Sequence, residues 1–430
     1  MASILRFLLV AVAVASTPAA AQTEAGGVAE LCRLPVDAPG TAQPAEAFRG
    51  AVRPVEACPA AERTARFEVE YVGFPDDARA AFQAAVDAWA CRIETDQSVR
   101  IRARWEALDA TTLGNAGPFL FRNFDRAPIR DTWYPAALAD AFAGRDIAPG
   151  EPDILARFNS AFPSWHLDPA TAPPRDRYDL ATVVLHEIAH GLGLIGALTV
   201  ERGLGFVGSP GGTRGPYAFD RYTEDAAGTP LLNAATYPDG SAALAGALQG
   251  GAVFFDGPAG RQSTGAPAAL FAPAVWNDGA SYSHLDEGTY APGTPDGLMT
   301  PFLARGETIA EPGTAVCAVL ADVGWPLAGD CAARVGAPPA VLAGLAVERT
   351  GRNPFSRQTT VRITAAAPAD VRATLVDAAG RRVAVLVDRS AGAGEPVRVV
   401  VSAAGLAAGV YFVYVTAGDE EQVVSLVVVR

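Results

Sequence analysis

From Val183 to Val200 the chain is almost continuously apolar, and His186, Glu187 and His190 are the only ionisable groups in it. Such groups are expensive in lipid, so the stretch does not read as a membrane span. In a protein interior they are equally out of place unless each meets a partner. Asp179 stands where an N-cap is needed and Gly193 suits a left-handed C-terminal turn, so a buried helix is expected from Asp179 through His190. Residues four apart stack on one face of a helix, so His186 and His190 can offer both imidazoles to one metal ion from rigid backbone. Glu187, one step round, lies beside that metal without having to ligate it. There it can take a proton from an activated water and pass it to a leaving nitrogen. Zinc is the natural occupant, because imidazoles with an open water position make a catalytic site rather than a structural one. A catalytic zinc usually has three protein ligands, and in a chain with four histidines the third is sought at His166 or His284.

The chain has 430 residues, too long for one ordinary domain. Residues 1–21 read as a signal peptide: Arg6, an apolar run from Phe7 to Ala15, and small residues Ala19 to Ala21 before Gln22. That run is too short to span a bilayer, so no membrane span is expected after its removal. Residues 22–63 are rich in Ala, Pro and Gly without periodicity, as in a linker or pro-segment. Residues 64–335 open with a strand (Phe67, Val69, Tyr71), an amphipathic helix (Phe82, Val86, Trp89, Ile93) and a second strand (Val99, Ile101, Ala103, Trp105), an α/β beginning. Further on come a loop-rich region from Gly196 to Ser283 with a short helix near Ala242 to Leu248 and a strand at Val253–Phe255, then a helix over Thr314–Val323. Asp153-Ile154 through Phe158 reads as an edge strand able to pair with an extended peptide. Residues 336–345 are a Pro-rich linker. Beyond them, alternating runs at Val361–Thr364, Val371–Val376, Val383–Val387, Val397–Val401, Val410–Val415 and Val423–Val429 describe a small all-β sandwich over 346–430. The expected fold class is an α/β (α+β) domain followed by that sandwich.

Downstream of His190, the run Gly191-Leu192-Gly193-Leu194-Ile195-Gly196 resembles the extended HExxHxxGxxH motif of the metzincin metalloproteases through Gly193. It departs at the last position, where Gly196 has no side chain to offer. Ser283-His284-Leu285-Asp286-Glu287, followed by Leu298-Met299-Thr300-Pro301, is similar to leishmanolysin-type metzincins, in which a long insertion precedes the third His and a methionine-containing turn. The resemblance spans about residues 67–326. It implies a metzincin-like catalytic domain, His186, His190 and His284 as zinc ligands, Glu187 as general base, Met299 in the Met-turn, and protein or peptide substrates. His166 then reads as a structural loop residue, and Tyr282 and Tyr290 as packing beside the His284 loop, with carbonyl polarisation as their alternative. A gluzincin-type peptidase with Glu201 or Glu224 as third ligand, and a non-catalytic surface binding module on a protease scaffold, remain open.

At the C-terminus, Asn353-Pro354-Phe355, Asp377-Ala378-Ala379-Gly380-Arg381, Gly405 to Tyr411 and the final Val427-Val428-Val429-Arg430 resemble the type IX secretion sorting domain of Gram-negative bacteria. That resemblance implies the type IX machinery as a partner and a secreted or cell-surface location. Net charge −13, with Arg as the sole basic residue besides His and no basic block, excludes nucleic acid and anionic membrane surfaces as expected partners. An exported chain can form disulfides. Cys317 and Cys331 form the candidate pair. Of Cys32, Cys58 and Cys91 one is left over, either a pro-segment thiolate masking a metal or a buried thiol.

Overall fold

The computed structural model describes residues 23–29, 32–35, 58–209, 212–336, 345–349, 355–365, 367–377, 381–392, 395–418 and 420–429. The signal peptide, residues 337–344 of the linker, Asn353-Pro354, the tip Ala378 to Gly380 and Arg430 lie outside these. Two large apolar cores organise the described residues, one with members from Leu34 to Trp325 and one from Leu345 to Val428, with two small clusters beside the first. The protein is thus mixed α/β with an all-β C-terminal part. Among the described residues, no helix is long and apolar enough to cross a membrane.

The large core forms round a twisted sheet. Its elements are β1 (Glu24–Val28), β2 (Cys32–Pro35), β3 (Arg66–Val72), α1 (Asp76–Ala90), β4 (Ser98–Glu106), β5 (Thr112–Arg122), β6 (Tyr134–Pro135), α2 (Ala136–Ala143) and β7 (Ile154–Asn159). The spatial order is β1-β5-β7-β4-β3, with β2 and β6 also pairing with β5. β3, β4 and β7 run parallel, and β5 runs antiparallel to β7. On β4, Val99, Ile101 and Ala103 point into the core, while the arginines between them stay half-buried and reach acids such as Glu70, 2.7 Å from Arg102. That alternation is the period-2 pattern of a half-buried strand.

The stretch from Asp153 to Phe158 is not an edge strand: β7 lies between β4 and β5. The strand outside it, β5, escapes sequence reading because Gly114, Asn115, Gly117 and Pro118 imitate a turn. Gly114 is required by contact, since a Cβ there would meet Phe158 and the Arg157 carbonyl at 3.1–3.2 Å. Nor is the N-terminal segment simply a linker. β1 and β2 add antiparallel to β5, with Cys32 opposite Ala116. Strand addition uses backbone hydrogen bonds, which need no side-chain periodicity.

Two short strands, β8 (Trp165–His166) and β9 (Tyr178–Asp179), lead into α3 (Leu180–Leu192). Asp179 caps α3, its carboxylate accepting from the Thr182 amide at 3.1 Å and the Thr182 hydroxyl at 2.7 Å. Gly193 ends it at φ 126°, donating to Ala189 and His190 carbonyls. α1 packs alongside, and Trp89 Nε1 donates to the Leu185 carbonyl at 3.0 Å. Against β7 the helix comes so close that a Cβ on Gly191 would lie 2.5 Å from Ile154.

After α3 the chain forms a hairpin (Leu198–Glu201 with Leu204–Val207), α4 (Ala242–Leu248), and a small sheet of Thr223–Asp225, Val253–Phe255 and Ala268–Leu270. α5 (Pro258–Thr264), a 3-10 turn (Pro295–Met299), α6 (Thr314–Val323) and α7 (Gly329–Val335) complete the unit. A disulfide between Cys317 and Cys331 joins α6 to α7, and one between Cys58 and Cys91 ties the chain before β3 to the end of α1. The C-terminal part is a sandwich of a three-stranded and a four-stranded sheet. Its core is Val361, Ile363, Val371, Val399, Val413 and Leu426, each supplied by alternate residues of a strand.

Candidate metal centre

α3 carries His186 and His190 inward, and the chain after Ala268–Leu270 returns His284 to the same point. All three are at most 1% exposed. Their Nε2 atoms stand 3.1 Å (His186 to His190) and 3.2 Å (each to His284) apart. Each Nδ1 faces a backbone carbonyl: His186 that of Leu298 at 2.6 Å, His190 that of Leu194 at 2.7 Å, His284 that of Ala280 at 2.7 Å. A carbonyl only accepts, so the proton of each neutral ring is assigned to Nδ1. Three Nε2 lone pairs then face one another with no donor between them. Such a cluster could hold a metal ion. The spacing also fits, since tetrahedral ligands at about 2.0–2.1 Å from zinc lie roughly 3.3 Å apart.

Electrostatics prepare the rings for that role. Burial lowers the His186 pKa to about 4. It carries His190 and His284 well below the usual imidazole range, and the neighbouring rings add to the effect. The metal-free imidazoles are therefore neutral near pH 7, the state in which they ligate.

Glu187 is 0% exposed, and neither carboxylate oxygen has a hydrogen-bond partner among the described residues. Burial raises its pKa well above the carboxylate range, and the backbone of Ala116 on β5 works against this. An unpaired buried carboxyl costs several kcal/mol. Leu180, Val183, Val184, Leu185, Ile188 and Leu192 of the same helix are fully buried and contribute about 1.5–3 kcal/mol each, so α3 tolerates it. Toleration is not a reason for the carboxyl to be there, and packing gives none.

The other histidine stays outside. His166 hydrogen-bonds the Thr171 carbonyl at 3.0 Å within its own loop. Glu201 is exposed, and Glu224 lies 3.7 Å from Arg261, so neither carboxylate belongs to the cluster. Met299 is fully buried in the turn whose preceding residue, Leu298, orients His186. Its own carbonyl accepts from Leu285, next to His284, at 2.8 Å. Tyr282 is buried with its hydroxyl on Asp220, and Tyr290 is half-buried. The orienting carbonyls of Leu298, Leu194 and Ala280 carry no side-chain signal, so sequence reasoning could not name them. A cavity of about 390 Å³ opens beside the His284 loop, bounded by Gly196, Thr213, Trp276, Ser283 and Val28 of β1.

A direct comparison tests the ligand set. His284→Ala is expected to lose bound metal on dialysis, and His166→Ala to retain it, as measured by metal analysis of the purified proteins. The reverse result would remove His284 from the centre.

No family model and no curated protein matches the chain. Among solved structures, the crystal structure of dimeric latent PorU from Porphyromonas gingivalis is similar over 20% of this chain and 10% of that one, at 19% identity and a TM-score of 0.17.

Proposed function

We propose that this chain is a zinc-dependent endopeptidase of metzincin-like type, made for export. The observation that carries the reading is the pairing of three convergent imidazoles with a buried, unpartnered Glu187 one residue from His186. Zinc bound by His186, His190 and His284 would act as a Lewis acid that makes water a nucleophile near neutral pH and polarises a scissile carbonyl. Glu187 takes the proton of the attacking water as the new C–O bond forms. It then delivers that proton to the amide nitrogen as the C–N bond breaks, so one group serves as base and then acid. Burial favours the protonated form that returns the proton, and the positive charge of bound zinc would favour the ionised form that takes it.

The chain would bind an extended peptide along the outer edge of β5, the strand whose Ala116 backbone lies beside Glu187. β1 and β2 occupy that edge, which makes residues 22–63 a pro-segment in this reading. A metal-binding module without catalysis is the competing reading. Glu187 counts against it, since a purely structural site has no use for an unpaired carboxyl. Digestion of casein or gelatin, stopped by a chelator and restored by zinc, tests the proposal; inert, zinc-loaded protein would reject it.

The C-terminal sandwich is proposed to be a type IX sorting domain. Its core is separate from that of the rest of the chain. A chain lacking residues 346–430 is therefore expected to fold and bind metal, yet to remain inside its native host. Fractionating the culture reads this out, and delivery of the truncated chain to the medium would refute the sorting role.

A further inference from the structure

We propose that Tyr282 and Asp220 are positioning residues for the third imidazole: together they lock the His284 loop against the backbone that follows α3. The inference rests on the metal-centre reading and asks only that the centre bind a metal.

Tyr282 lies two residues before His284 at φ 73°, left-handed backbone that a bulky side chain rarely adopts. Strain of this kind persists only where the surroundings over-determine it. Here the amide of Tyr282 donates to the Phe271 carbonyl at 2.7 Å, and its ring is 1% exposed. Its hydroxyl donates to Asp220 Oδ1 at 2.7 Å, and the Thr223 hydroxyl lies 2.8 Å from it.

Asp220, itself 1% exposed, is held in turn. It accepts from the Ala197 amide at 3.0 and 3.1 Å and from the Tyr217 amide at 2.7 Å. The same short stretch supplies the Leu194 carbonyl that orients His190 and the Gly196 amide that donates to Ser283 Oγ at 3.0 Å. One loop therefore registers both the helix-borne ligand His190 and, through Ser283 and Tyr282, the loop-borne ligand His284.

Gly196 explains why the arrangement is possible. A Cβ at this position would sit 2.1 Å from Tyr282 Cε1 and 2.8 Å from Asp220 Oδ1. The missing side chain is the space that the tyrosine ring fills. A position that could have carried a ligand carries instead the seat of the residue that steadies one.

Cobalt(II) titration of the purified full-length chain tests this. A three-imidazole site holding cobalt gives visible bands that report ligand geometry, and chelator competition gives its affinity. Tyr282→Phe removes one oxygen, and Asp220→Asn removes the charged acceptor. Each is expected to weaken cobalt binding by about 10–100-fold, the usual cost of losing an outer partner of a ligand, and to alter the bands. The thermal midpoint of the metal-free Tyr282→Phe chain should stay near wild type. Wild-type affinity and bands in Tyr282→Phe would overturn the proposal, as would an affinity loss that merely follows a lowered metal-free midpoint. Failure of the centre itself looks different: wild-type chain that takes up no cobalt, or His284→Ala that binds as well as wild type, overturns both readings together.

Discussion

Glu187→Gln is expected to leave metal content at the wild-type level and to reduce peptide hydrolysis by at least the 10²–10⁴-fold typical of a lost general base. The substitution keeps the volume of the side chain and removes its ability to hold and return a proton. Glu187 is not among the converging ligands, so metal binding should survive. A second readout separates chemistry from architecture. The wild-type carboxyl is fully buried without a partner, an arrangement that opposes folding. The metal-free Gln variant should therefore melt no lower than wild type, the behaviour of a site whose activity is retained at a cost in stability. Full activity with metal in place would remove Glu187 from the chemistry. A sharp fall in melting temperature would show instead that the carboxyl is a structural group.

Release of the N-terminal segment should have the opposite effect on activity. A chain beginning after Pro35, or one cut between residues 36 and 57, frees the edge of β5 while keeping Cys58 paired with Cys91. A tethered strand competes at an effective concentration of order mM, so a substrate present at µM should be cleaved about tenfold faster or more once the strand is gone. Peptide 23–35 added back should lower the cleavage rate of the truncated chain again. Equal rates for the two chains, with both folded and metal-loaded, would deny the segment any masking role.

Much of the candidate site is legible in one dimension because an α-helix converts spacing into direction. His186 and His190 share a face, Glu187 lies beside it, and Asp179 and Gly193 mark the ends; the structure places each on or beside α3. Strands with clean alternation are equally legible, as in β3, β4 and the C-terminal sandwich, because burying one face of a pleated sheet leaves that signature. β5 was hidden for the converse reason. It is covered closely enough that Gly114 serves contact rather than pattern, and a strand spelled with turn residues has no periodicity to read. β1 and β2 hold their places through backbone pairing, which sequences without any side-chain periodicity can supply. The edge assigned to Asp153 to Phe158 was wrong because edge or interior is a property of what lies on both sides of a strand.

By itself, the sequence determined the helix, the two histidines and the carboxyl it carries, and the separation of a mixed α/β part from an all-β sandwich. These follow from local propensity and short-range periodicity. Tertiary structure alone decided that His284 and not His166 meets the helix, that the N-terminal strands cover β5, and that Cys58 pairs with Cys91. It also chose the three carbonyls that face the ring nitrogens and the Tyr282–Asp220 hydrogen bond two residues before His284. Each of these joins segments far apart in the chain, or else uses backbone groups that every residue possesses. Such contacts are set by how the whole chain packs, and no local stretch of sequence encodes them.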